Sequence, residues 1–277
     1  MDENIQVQVK PKEELRGVRH VASRLRSYFI LDPLIWFYTI VLGAFSLLCS
    51  LFDSSGAIQH DFARLWSRLI LATIGARVNI IGLDKIDTSK PQVYVVNHLS
   101  ALDIPVLYLN LPFQFRILAK MELFRYPFMG WHLRRSGQIP VVLDNAKASL
   151  RSLNLAVAAL KAERPLVVFP EGGRSPTGQL QPFMGGAFYA AIRAQVDVVP
   201  LALVGTYEML PMNTWHIKSA ALYLIAGQPI STQGMSVRDM ETLKQKAQDV
   251  IGELYYSHCL VPDLRGQNPE CKEPTLQ

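Results

Sequence analysis

Cysteine is scarce in this chain: Cys49, Cys259 and Cys271 are three in 277 residues, an odd number without C-x-x-C spacing. Such scatter excludes a disulfide framework and a thiolate zinc site, and it points to a reducing compartment. Charge is also sparse, at 18% of residues, although Lys and Arg exceed Asp and Glu to give +5. No Lys/Arg-rich stripe interleaved with aromatics appears, so nucleic acid is not the expected partner. With hydrophobic residues at 49%, a basic and apolar chain suits an anionic membrane surface instead. No internal repeat or low-complexity tract is visible. His132 and His216 are metal ligands by type only, since no ligand spacing relates them, and no metal is expected.

What is present begins with an N-terminal segment that divides by composition. Met1 to Glu14 is polar, and Arg16, Arg19, Arg24 and Arg26 lead into an apolar run from Pro33 to Phe52. Those 20 uncharged residues are long enough to cross a bilayer, and Trp36 and Tyr38 fit its interfacial zone. No small-x-small cleavage site follows, so the segment reads as an anchor rather than a signal peptide. A second stretch, Phe62 to Ala76, is apolar but carries Arg64 and Arg68 and reads as amphipathic. The expectation is a basic lead and membrane-associated segment in residues 1–60, whose apolar run forms a helical hairpin with the second stretch, monotopic or a single N-terminal anchor, on the cytoplasmic face of the inner or plasma membrane. An α/β domain follows over 61–262, and 263–277 is a polar tail.

From Arg77 onward, short β-rich runs alternate with helical stretches. Candidate strands are Arg77–Ile81, Gln92–Val96, Phe115–Leu118, Ile139–Val142, Leu166–Phe169, Val196–Val204 and Ala221–Ile225. They are near-continuously apolar, as strands buried on both faces are. Candidate helices are Ser100–Asn110, Phe128–Ser136, Ala146–Glu163, Gly186–Ala194 and Val237–Tyr256. This alternation predicts an α/β fold with a largely parallel central sheet of about seven strands flanked by helices. Pro200, inside one strand, predicts a bulge or an edge position.

Two segments directly behind predicted strands carry chemistry. In Asn97-His98-Leu99-Ser100-Ala101-Leu102-Asp103, a carboxylate lies just over one helical turn beyond an imidazole. A carboxylate holding one ring nitrogen makes the other a better proton acceptor, which is how general bases are built. The alternative is a capped helix start in which both side chains satisfy local backbone groups. No Ser or Cys nucleophile is evident beside the pair, so on the first reading a substrate hydroxyl attacks. In Phe169-Pro170-Glu171-Gly172-Gly173-Arg174-Ser175, two glycines allow close backbone approach and Arg174 offers a planar fork to phosphate. Glu171 either holds that guanidinium or accepts a hydrogen bond from a polyol hydroxyl. A third region, Lys120-Met121-Glu122-Leu123 through Arg135-Ser136-Gly137-Gln138-Ile139-Pro140-Val141, sets Lys120 and Arg135 beside sheet ends. On their own these are solvated basic residues.

Taken in order, Asn-His-x4-Asp, Lys-x-Glu-Leu, Gly-x-Ile-Pro-Val, Phe-Pro-Glu-Gly-x-Arg-Ser and Val-Val-Pro resemble the glycerolipid acyltransferase family, whose best-known members are 1-acylglycerol-3-phosphate acyltransferases. The resemblance covers about Trp66 to Leu260. It implies that His98 is the general base, that Asp103 orients it, and that Glu171, Gly172 and Gly173 shape the acceptor site. It also implies Lys120 and Arg174 as phosphate contacts, with Arg135 a weaker candidate for the same role. The implied substrates are a lysophospholipid acceptor and acyl-CoA or acyl-carrier protein as donor, with no cofactor. The resemblance leaves an oxyanion site to backbone N–H groups near Gly172 or Gly173. Gly173 stands where the family usually has Thr, and Gln138 also departs from the pattern. Glycerol-3-phosphate, another lysophospholipid or a lyso-ornithine lipid are alternative acceptors. A thioester hydrolase or a non-catalytic lipid-binding module are readings from other classes.

Overall fold

Seven short apolar runs form one seven-stranded sheet in a computed structural model that describes residues 21–53, 55–142 and 145–258. The strands are β1 (Val78–Ile81), β2 (Val93–Val96), β3 (Arg116–Lys120), β4 (Ile139–Val141), β5 (Leu166–Val168), β6 (Val198–Val204) and β7 (Leu222–Ala226). Their order is β1-β7-β6-β2-β5-β3-β4. All neighbours are parallel except β6 and β7, so β1 and β7 run against the other five.

Alternation along each strand divides the interior in two. Val93 and Val95 of β2 join Leu166 and Val168 in one core, which is closed by helices α5 (Ala146–Lys161), α6 (Gly186–Ala194) and α7 (Met240–Tyr256). Tyr94 and Val96 face the other core with Val199, Leu201 and Leu203, under α2 (Ala57–Thr73) and α3 (Asp103–Asn110). The result is a three-layer α/β/α arrangement. Pro200 lies in an interior strand rather than at an edge, aligned with Val95 of β2, and the pairing beside it slips by one residue, from Leu201 with Ala226 to Val198 with Ile230, as at a bulge. Its carbonyl accepts from Gly227, so its missing N–H falls on the β7 side, just before the antiparallel ladder starts at Leu201 and Ala226.

Among the described residues one helix, α1 (Val21–Cys49), is long and apolar enough to cross a membrane by length and composition, with a mean hydropathy of 1.7 over an 18-residue stretch of it. A π-turn at Ser27–Leu31 interrupts it. Much of its surface is uncovered, including Phe29, Ile30, Trp36, Phe37, Ile40, Phe45 and Leu48. The amphipathic α2 packs along it as the second arm of a hairpin, with Trp66 Nε1 donating to Thr39 Oγ1 at 2.9 Å. Its other side belongs to the domain. Ile70 and Leu71 are buried in the core, and Arg64 donates to the carbonyls of Tyr108 and Leu111 at 3.2 and 2.7 Å. That contact satisfies carbonyls left open at the end of α3. Arg16, Arg19, Cys259, Cys271, the polar lead and the tail over 263–277 lie outside the described residues.

Candidate active site

The two chemistry-bearing segments leave adjacent parallel strands, β2 and β5, at their carboxyl ends, where ligands gather in open α/β sheets. Asn97 fixes the first turn. Its side-chain amide donates to Leu203 O at 2.9 Å and accepts from Leu203 N at 2.7 Å, continuing the β2–β6 ladder beyond the strand. The chain then turns through His98–Leu102 and enters α3 at Asp103 rather than at Ser100.

Asp103 is fully buried, and its Oδ2 lies 2.8 Å from His98 Nδ1. The same oxygen accepts the N–H groups of Leu99 at 2.7 Å and Ser100 at 2.9 Å. The helix start itself has no side-chain cap; one carboxylate oxygen holds both the ring and the backbone of the turn before the helix. With acceptor-only Asp103 on Nδ1, that ring nitrogen carries the proton and Nε2 keeps its lone pair. Nε2 makes no hydrogen bond among the described residues, and the side chain is 18% exposed. Phe169 stacks on the ring at a centroid distance of 4.0 Å, which limits its rotation.

Glu171 does not pair with Arg174. Its Oε1 accepts His98 N–H at 2.8 Å and its Oε2 accepts Gln181 N–H at 3.0 Å. Ser175 N–H in turn donates to His98 O at 2.9 Å. These bonds lock the two loops together. Burial pushes the Glu171 carboxyl up to about 8; its two N–H donors oppose the rise, and Asp103 adds to it.

Gly172 has φ +71°, a conformation that favours glycine, and its N–H is occupied by Phe169 O at 3.1 Å. The N–H of Gly173, by contrast, makes no hydrogen bond among the described residues. Of the two backbone donors expected from the sequence, only that of Gly173 is open. A Cβ on Gly173 would lie 3.7 Å from Lys120 Nζ, so the end of β3 and the loop after β5 meet. Lys120 and Arg174 are both exposed, and neither has an ion pair or side-chain hydrogen bond among the described residues. Arg135 is not brought to this place. It ends α4 (Met129–Arg135), next to Gly137, whose added Cβ would approach Arg116 Nε at 2.9 Å. Arg116 begins β3, whereas Lys120 ends it.

Sequence reasoning missed the role of Gln138, which is structural. Its Oε1 accepts Ile117 N–H at 2.6 Å, and its amide nitrogen donates to Ser136 Oγ at 3.3 Å and Tyr108 Oη at 3.4 Å. Ser100 was missed as well. Its Oγ donates to Leu210 O at 2.7 Å and ties the His98 turn to the segment after β6. His132 and His216 lie apart, bonded to Ser46 and Ser23 of α1.

Several known proteins are similar to this chain. The Acyltransferase family matches residues 77–204, which contain both loops and Lys120. The chloroplastic 1-acyl-sn-glycerol-3-phosphate acyltransferase LPAT1 of Arabidopsis thaliana is 32% identical over 210 residues, 75% of this chain and 56% of that protein. The 1-acyl-sn-glycerol-3-phosphate acyltransferase of Saccharomyces cerevisiae is 28% identical over 228 residues, 80% of this chain and 74% of that one. The chain thus spans little more than half of the Arabidopsis relative. The crystal structure of the 1-acyl-sn-glycerophosphate acyltransferase PlsC of Thermotoga maritima is 25% identical with a TM-score of 0.68, covering 86% of this chain and 95% of that one. Residues 77–204 thus match the Acyltransferase family, within a fold similar to that of the Thermotoga maritima acyltransferase.

Proposed function

We propose that this protein is a membrane-bound acyltransferase that moves a fatty acyl group from acyl-CoA or acyl-carrier protein to the free hydroxyl of 1-acylglycerol-3-phosphate, giving phosphatidate. The observation that carries the reading is the His98–Asp103 pair, with Nε2 open beside two unpaired cations, Lys120 and Arg174. Lysophosphatidate has one free hydroxyl and an anionic phosphate, and these are the groups such a site accommodates.

In this mechanism His98 Nε2 takes the proton of the acceptor hydroxyl as its oxygen attacks the thioester carbonyl carbon. Asp103 stabilises the imidazolium that forms. The Gly173 N–H is the candidate donor to the developing oxyanion. Collapse breaks the C–S bond, and the proton passes from His98 to the leaving thiolate. Lys120 and Arg174 hold the acceptor phosphate.

Membrane attachment is supported by the uncovered apolar side of α1 and by Tyr126, Phe128, Met129 and Trp131, all exposed around the start of α4. Ser46 of α1 contacts His132 of α4 at 3.2 Å, so the two apolar surfaces adjoin. The proposed location is a membrane face on the cytoplasmic side.

A screen of acceptors and donors with membranes carrying the protein, read by mass spectrometry, tests the reading. Phosphatidate from lysophosphatidate supports it. Acylation of a different acceptor, or release of free fatty acid alone, overturns the substrate assignment.

A further inference from the structure

The start of α1 and the segment after β6 enclose a groove of about 310 Å³ that the acyl-transfer chemistry above does not use. Its walls carry Arg24 and Tyr28 from α1, and Asn213, Thr214, Trp215 and Lys218 from the facing segment. Arg24 and Lys218 are exposed, and neither has an ion pair or side-chain hydrogen bond among the described residues. None of the residues lining the groove is acidic. Two cations thus share a concave surface with no internal counter-charge.

The walls are held rigidly. Ser27, fully buried, donates from Oγ to Ile217 O at 3.3 Å and accepts Ile217 N–H at 3.1 Å. Ser23 Oγ and His216 Nε2 lie 3.0 Å apart, which closes the floor. The π-turn begins at Ser27, where one extra residue per turn re-aims the helix against this segment. The aromatic rings stay outside: Tyr28 is 43% and Trp215 57% exposed. Exposed ring faces beside a guanidinium and an ammonium suit a planar, phosphate-bearing group. Leu210, just before the groove-lining residues, accepts from Ser100, so this segment is tied to the turn that carries His98 on the β6 side. Lys120 and Arg174 flank it on the opposite side, through β5 and β3.

We propose that this groove is a second phosphate site: Arg24 and Lys218 hold the phosphates of a ligand whose flat or polar portion lies against Tyr28 and Trp215. The acyl donor's 3′-phospho-ADP end and an anionic phospholipid headgroup share this chemistry. The inference rests on the acyltransferase reading for its place in the reaction, but not for binding itself.

The test uses the full chain in detergent and the variants Arg24→Gln and Lys218→Gln, singly and together, with 3′-phospho-ADP as the probe. Isothermal titration reads binding directly. KM values for oleoyl-CoA, its 3′-dephospho analogue and lysophosphatidate read the role in turnover. Flotation with phosphatidylcholine vesicles, with and without phosphatidylglycerol, reads the lipid source. Loss of one charge-assisted phosphate contact weakens binding about tenfold. A donor source predicts a rise of that order in the oleoyl-CoA KM and in the probe's Kd, with the dephospho analogue and lysophosphatidate much less affected. A headgroup source predicts weakened flotation only with phosphatidylglycerol, at unaltered donor KM. If probe affinity, donor KM and flotation all match the unmodified protein, the groove is not a phosphate site. If probe binding is lost in the variants while the unmodified protein transfers no acyl group, the site stands and the acyltransferase reading falls.

Discussion

His98 and Asp103 share a 2.8 Å hydrogen bond from Nδ1 to Oδ2, and the same oxygen takes the N–H groups of Leu99 and Ser100. One oxygen therefore sets the backbone turn and the ring together. Asp103→Asn keeps an acceptor for the turn but removes the charge that stabilises an imidazolium. A fall in kcat of about 10²–10⁴-fold is expected, with a much smaller change in melting temperature. Steady-state kinetics beside a thermal melt separates the two effects.

Lys120 and Arg174 are expected to act on acceptor binding. Lys120→Ala or Arg174→Ala should raise the lysophosphatidate KM about tenfold each, with the larger effect on acceptors that carry phosphate. An acceptor KM that matches the unmodified protein in both variants would remove the clamp from the account.

Two adjacent glycines should respond differently. Gly172 has φ +71°, so Gly172→Ala should cost about 1 kcal/mol or more. Gly173 lacks such a φ, and an added Cβ meets only Lys120 Nζ at 3.7 Å. Gly173→Thr should therefore leave the melting temperature unaltered while adding a hydroxyl beside Lys120, lowering the acceptor KM by no more than about tenfold. Paired melts and acceptor titrations check both.

Burial raises the Glu171 carboxyl to about 8, from an ordinary value of 4.5. The folded chain then holds this proton over a range where the unfolded chain has released it, so stability falls as pH rises from about 4.5 to about 8. Glu171→Gln should flatten that limb. It also turns an NH2 toward one of the two backbone N–H donors, costing about 1–2 kcal/mol at pH 5. Urea unfolding across this pH range reads both.

His60 gives the opposite sign. Burial, with Arg64 and Arg116 nearby, lowers its ring from 6.5 to about 4. The unfolded chain takes up this proton first, so the contribution is complete above about 6.5 and is lost as pH falls toward about 4. The ring lies 5.0 Å from both Tyr108 and Phe115. His60→Phe should retain the packing and extend stability to lower pH, as acid unfolding monitored by circular dichroism would read.

All seven strands were legible because each is a short apolar run bounded by turn residues, and β2 shows its two-sided burial in four consecutive apolar residues. Direction was not legible. β7 is as apolar as its parallel neighbours, and nothing in Leu222–Ala226 marks it as antiparallel to β6. Pro200 marks a slip of register rather than an edge: a missing N–H does no harm where the ladder to β7 ends, even within an interior strand. At the site, spacing placed His98 and Asp103 together because their partnership is local in sequence. Glu171 was harder to read: its partners are backbone N–H groups of His98 and Gln181, and backbone donors leave no residue signature. Arg135 looked equivalent to Lys120 by charge, and only chain direction through β3 and α4 separates their positions.

The central claim is that His98 is the base for acyl transfer to a lipid hydroxyl. Conversion of lysophosphatidate and oleoyl-CoA to phosphatidate, followed by mass spectrometry for the unmodified protein and for His98→Ala, tests it most directly. The account predicts phosphatidate from the first and only background product from the second, with both chains folded and membrane-associated. Phosphatidate formed by His98→Ala at a rate near that of the unmodified protein would contradict it.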